Sequence, residues 1–114
     1  MKLDCVLYET NVRKELDGTT ITALAITRIS PKGRTCEGRI ACEEHSPDGG
    51  SFELEWHARR AKEGYQIAPR SRSGIELQGM LMDNQFTHSS DFDKQLREYI
   101  SEEIAKSELM KKER

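Results

Sequence analysis

The sequence predicts an α+β fold: an antiparallel β-meander sheet of about six strands, flat or curled into a partial barrel, packed by one C-terminal α-helix. Three observations predict it. Ser51 to Ala58 (SFELEWHA) alternates, with Phe52, Leu54 and Trp56 to one side and Glu53, Glu55 and His57 to the other, the period of a strand buried on one face. Turn-forming clusters at Ser30-Pro31-Lys32-Gly33 and Ser46-Pro47-Asp48-Gly49-Gly50 fall at hairpin spacing. From Phe92 the period changes: Phe92, Leu96, Tyr99, Ile100 and Ile104 recur every three or four residues, an apolar helical stripe.

Taken in order, Leu3 to Tyr8 reads as the first strand. Thr20 to Ile29 (TITALAITRI) is the second, apolar on both parities, which predicts a central strand covered on both faces. Asn11 to Gly18 between them is ambiguous, because Val12 and Leu16 fit one helical turn while Asp17-Gly18 signals a hairpin. A hairpin or extended arm is the stronger reading. Cys36 to His45 forms the third strand and Ser51 to Ala58 the fourth. Placing Ser51 opposite His45 sets Leu54 against Cys42 and Trp56 against Ile40; a one-residue slip would turn Glu43 or Ala41 to the core. The same register sets Glu43 opposite Glu53, a like-charge pair costing roughly a few tenths of a kcal/mol.

A second hairpin is expected from Lys62 to Ile67 and Ile75 to Met82 around the loop Ala68 to Gly74, with Ile67 opposite Ile75 and Tyr65 opposite Leu77. Gly79 hints at a bulge. Ser89 or Ser90 caps the helix, expected over residues 90–111. Asp91 and Asp93 in its first turn and Lys111, Lys112 and Arg114 at its end suit the macrodipole. The pairs Asp93–Arg97, Lys94–Glu98 and Glu102–Lys106 reinforce its outer side. Past Ala105 only Leu109 and Met110 are apolar, so the final turns are expected to fray or project.

With 114 residues there is room for one core, so residues 1–114 are expected to form a single domain with its sheet over 3–83. Charged residues make up 33% and hydrophobic ones 35%, a lean core that suits a sheet buried on one side or a chain that hides surface against a partner. One helix is too short to cover six strands. The net charge of −2 gives no overall attraction to nucleic acid or acidic membranes. The N-terminus lacks the apolar stretch of a signal peptide, and no run of about 20 apolar residues is present to span a membrane. Three cysteines without a CxxC pair suggest reduced thiols and a cytoplasmic setting.

A meander sorts the charges. The turn from Ser30 to Thr35 and the turn from Arg59 to Glu63 share one end of the sheet, which collects Lys32, Arg34, Arg59, Arg60 and Lys62. These are the candidate anion-binding residues, weighed against ordinary solvated turn cations. Tyr65 is the only aromatic near them, whereas single-strand binders interleave several. Arg70 and Arg72 belong to a loop at the opposite end, read as a solvated tip, and Glu43, Glu53 and Glu55 form an acidic face between the ends. Those carboxylates solubilise the sheet and discourage edge pairing more plausibly than they act as an acid–base pair.

No catalytic constellation emerges. Cys36, Cys42, His45 and His57 match no closed zinc spacing, and parity turns Cys42 inward and His57 outward. His88-Ser89-Ser90-Asp91 holds the letters of a nucleophile site but coincides with a helix start. No GxGxxG, P-loop, HExxH or GxSxG motif occurs. No metal or cofactor is expected, and no enzymatic activity is favoured. The expected function is therefore a small non-catalytic binding or adaptor domain with a protein partner or a second copy of itself, and no membrane. The alternatives are anion or nucleic-acid-backbone binding at the basic end, and a small-ligand carrier or small enzyme with a pocket near Trp56 and Tyr65, between sheet and helix.

Overall fold

The computed structural model describes residues 6–45, 49–70, 86 and 90–110. Its elements are β1 (Tyr8–Thr10), β2 (Lys14–Leu16), β3 (Thr19–Ile29), β4 (Thr35–Glu44), β5 (Ser51–Arg60), β6 (Tyr65–Pro69) and α1 (Ser90–Ser107). The six strands form one antiparallel sheet in the order β1-β3-β4-β5-β6, with β2 also on β3. The sheet is open. No helix among the described residues is long and apolar enough to cross a membrane.

The ambiguous N-terminal stretch is a hairpin. Asp17 (φ 45°) and Gly18 (φ 83°) make a two-residue connection with both residues left-handed, the backbone that Asp-Gly favours. It sets Leu16 opposite Thr19. The first strand, expected from Leu3 to Tyr8, instead starts at Tyr8, and Leu3 lies outside the described residues. Leu7 still donates its backbone N–H to the Ile26 carbonyl at 2.8 Å.

β3 is central, but among the described residues only one of its faces is packed by another layer. Register shifts between Ile21 and Ala23 and between Ile26 and Arg28 insert two bulges, and each flips the parity of the residues beyond it. Ile21, Leu24, Ile26 and Ile29 therefore lie on one face, opposite Cys42, Ile40, Gly38 and Cys36. The apolar pattern on both parities arises because the two bulges move the inner-face positions from odd to even numbers and back. The Thr22 and Thr27 hydroxyls donate to the carbonyls of Ala41 and Glu37, each at 3.4 Å.

The β4–β5 hairpin keeps the expected faces in a different register. Glu43 pairs with Ser51, Ile40 with Leu54 and Gly38 with Trp56, a slip of two residues from the sequence expectation. An even slip leaves every side chain on its face, so alternation does not exclude it. Space decides it: the Trp56 ring lies over Gly38, where no side chain competes. The expected Glu43–Glu53 pairing is absent, and Glu53 sits opposite Ala41.

β6 pairs with β5 through residues 65–69, so Ala68 and Pro69 belong to a strand rather than to the expected loop. The bonds Arg70 N–H to Glu55 O (2.9 Å) and Ala61 N–H to Gly64 O (3.0 Å) fix the alternation of the ladder. They turn the peptide groups of Tyr65, Ile67 and Pro69 to the edge away from β5, on which no described strand pairs. The partner strand expected at Ile75 to Met82 lies outside the described residues.

On the inner face α1 buries its whole stripe, Phe92, Leu96, Tyr99, Ile100 and Ile104, against Leu24, Ile26, Ile40, Trp56 and their neighbours. Arg97 donates from Nε to Asp93 Oδ2 at 2.8 Å and from Nη1 to the Ile67 carbonyl, and its guanidinium lies 5.4 Å from the Phe86 ring centroid. The Tyr8 hydroxyl donates to the buried Glu103 Oε1 at 2.8 Å, tying β1 to the helix. Lys106, expected to pair with Glu102, bonds Glu103 instead at 3.4 Å. The helix stops at Ser107, with Glu108 left-handed (φ 59°). Leu109 and Met110 do not project: Met110 is 1% exposed, and its carbonyl accepts from Arg60 Nη1 at 2.9 Å.

Cys36 and Cys42 face this core, where burial, with Glu37 and Glu44 respectively adding to it, pushes each thiol up to about 12. Burial, then Glu103 nearby, raises the Tyr99 hydroxyl to about 12 as well. A group whose folded pKa lies above its unfolded value contributes stability below the unfolded pKa and loses it as pH rises towards the folded one. Urea midpoints should thus be flat to about pH 8.5 and fall between pH 9 and 12, with a shallower fall in Cys36→Ala/Cys42→Ala. A midpoint unchanged between pH 8 and 10.5 would contradict the buried thiols.

Candidate binding surface

The face of the sheet opposite α1 is where the polar strand positions collect. No described element packs on it, and its side chains come from alternate residues of the same strands that build the core. Across β4 and β5 its successive ladder rows are Glu43–Ser51, Ala41–Glu53, Arg39–Glu55, Glu37–His57 and Thr35–Arg59. The bulges in β3 bring Ala23, Ala25 and Arg28 beside them, opposite Ala41, Arg39 and Glu37. Small alanines therefore run through the middle of a charged surface.

The charges are ordered along the strands. At one end Glu43, Glu53 and Glu55 prevail, with Arg13 Nη2 3.2 Å from Glu43 Oε1. Beside them Glu15 Oε2 accepts from the Thr20 hydroxyl at 2.9 Å, and His45 Nε2 bonds the same hydroxyl oxygen. At the other end Glu37 stands between two arginines: Arg70 Nη1 is 2.5 Å from Oε1 and Arg28 Nε 3.9 Å from Oε2. Arg59 follows one row on, donating from Nη2 to Gln66 Oε1 at 3.2 Å. Arg70 is thus not the solvated loop tip that was expected. It folds diagonally across β5 onto Glu37 from the neighbouring row, because Ala68 and Pro69 extend β6 until the Arg70 amide bonds the Glu55 carbonyl. Arg72 lies outside the described residues.

The five expected anion-site residues are brought to one end of the sheet. Thr35 pairs with Arg59, and the Arg60 amide bonds the Arg34 carbonyl at 2.9 Å. Lys32 and Lys62 are exposed in the two adjoining turns. They do not form one convergent set. Arg60 points to the inner side and is held by the Met110 carbonyl, whereas Arg59 lies on the outer face.

The two expected pocket residues are separated. Trp56 is wholly buried, with its Nε1 unbonded among the described residues. Tyr65 lines a broad cleft of about 1150 Å³ along the β6 edge, with His57, Arg59, Gln66, Arg97 and Glu102. Cys36 and Cys42 point inward, away from the exposed His45 and His57. Among the described residues no group of three or more metal-ligating side chains converges.

Sequence reasoning named Glu43, Glu53, Glu55 and Arg59 but missed Arg28, Glu37 and Arg39 as parts of the same face. The alternation Glu37, Arg39, Ala41, Glu43 in β4 was the available signal. Comparison with protein-family models, curated proteins and solved structures found no match.

Proposed function

We propose that this chain is a small non-catalytic binding domain whose open sheet face receives a protein partner. The observation that carries this reading is the drift of charge along that face: Glu43, Glu53 and Glu55 with Ala23, Ala25, Ala41 and the single Arg39 in their rows at one end, and Arg28, Arg59 and Arg70 gathered about Glu37 and the rows beyond it at the other. Simple solubility needs only mixed charge. An ordered gradient fixes the orientation of a partner and penalises wrong ones.

Two features weigh against the alternatives. The basic end has Arg60 engaged by the helix terminus, leaving the turn cations without a convergent set. The β6-edge cleft is lined by Arg59 and Arg97 against Glu98 and Glu102, a balance that favours neither anion nor cation.

A photo-reactive amino acid at Ala41, used in the chain's native cells, tests the reading. Adducts to a discrete protein are expected from Ala41 and not from the exposed Lys94 on the far side of the helix. No adduct from Ala41, or equal capture from Lys94, rejects it.

A further inference from the structure

We infer that the partner on the open face is a second copy of this chain, seated face to face with its strands running in the opposite direction. This inference rests on the reading of the outer face as a recognition surface. A two-fold axis lying between two such sheets and crossing their strands reverses strand direction in the second copy. The acidic half of each copy then lies over the basic half of the other. With the axis between the Arg39–Glu55 row and the Glu37–His57 row, Arg39 of one copy faces Glu37 of the other. Glu55 then faces His57, and Glu53 faces Arg59. Each contact is made twice by symmetry. The other face-to-face choice, an axis parallel to the strands, would gather Glu43 and Glu53 of both copies at one end and Arg28 and Arg59 of both at the other, which the charge order disfavours.

Shape and size agree with charge. Ala23, Ala25 and Ala41 lie near the middle of the face, leaving room between the sheets for the long side chains of the opposing copy. The two ten-residue strands, β4 and β5, with β3 and β6 beside them, give a patch about 33 Å long and about 19 Å wide. That is roughly 600 Å², of the order of the roughly 800 Å² per partner in a standard interface.

Light scattering on the purified full chain tests the inference. A dimer mass is expected at low salt, falling towards the monomer at high salt because the contacts are ionic and partly screened. Glu53→Lys/Glu55→Lys and Arg28→Glu/Arg59→Glu are each expected to run as monomers, and their equimolar mixture to recover the dimer. Circular dichroism checks that both variants keep their fold, and recovery in the mixture is a result that misfolded chains would not give. A wild-type monomer at low salt overturns the inference, as does a dimer that survives both reversals. The two failures are separable: a monomer whose Ala41 probe still captures another protein loses only the second copy, whereas no capture at all removes the recognition surface itself.

Discussion

Replacing Gly38 with alanine is expected to destabilise the chain by about 3 kcal/mol or more, a large share of the stability of a small domain. Gly38 lies on the inner face of β4 between Ile26 and Trp56. A Cβ there would collide with the Ala25 carbonyl oxygen and stand 3.0 Å from its carbon and 2.7 Å from Trp56 Cζ2. An indole in a looser core would yield, but the carbonyl belongs to the neighbouring backbone and moves only if β3 moves. The double variant Gly38→Ala/Trp56→Phe should therefore remain nearly as unstable as Gly38→Ala alone. Urea unfolding followed by circular dichroism measures both. A loss below about 1 kcal/mol for Gly38→Ala would refute the close approach and, with it, the account of why β4 and β5 take their register.

Arg97→Ala should cost about 2–3 kcal/mol, and Arg97→Lys should recover less than half of it. One guanidinium holds three parts of the molecule: the Asp93 carboxylate on its own helix, the Ile67 carbonyl on the edge of β6 away from β5, and the Phe86 ring. Asp93 is buried and also accepts from the Phe86 amide at 2.7 Å. Without the arginine it keeps a charge in the interior with no cation to offset it, which is the expensive half of a broken pair. A lysine ammonium replaces one of these bonds but lacks the planar fork that reaches a carboxylate and a carbonyl together. Hydrogen exchange adds a local readout, with β6 amides exchanging faster in Arg97→Ala while those of β3 and β4 follow global stability. Equal stability of the alanine and lysine variants would show that the fork is immaterial.

Periodic features were the ones legible in the sequence. The helix stripe from Phe92 to Ile104 was readable residue by residue, since only one helical face satisfies that spacing and all five side chains are buried. The strands from Thr20 to Ala58 were readable for the same reason, but their pairing was not. Alternation fixes a side chain's face and leaves every even slip open, and the deciding residue, Gly38, has no side chain to announce itself. The bulges at Thr22 and Thr27 were hidden because they spread the residues of one face over both parities. Met110 was misjudged because it joins a core built from residues remote in sequence, and Arg60, fifty residues away, holds its carbonyl. The candidate face was half visible: the acids of Ser51 to Ala58 alternate plainly, while Arg28 reaches Glu37 only through a bulge that no local pattern records.

The divided edge of β3 has a practical consequence. β1 and β2 each hold a different half of that strand, and between them Asn11 to Arg13 belong to neither ladder, with Val12 71% exposed. Chain inserted there lengthens a link whose two ends are already fixed by separate hydrogen-bonded segments, and loop entropy rises only slowly with length. Val12, one residue before the Arg13 that bonds Glu43, is therefore a natural graft point for a fluorophore tag or reporter peptide.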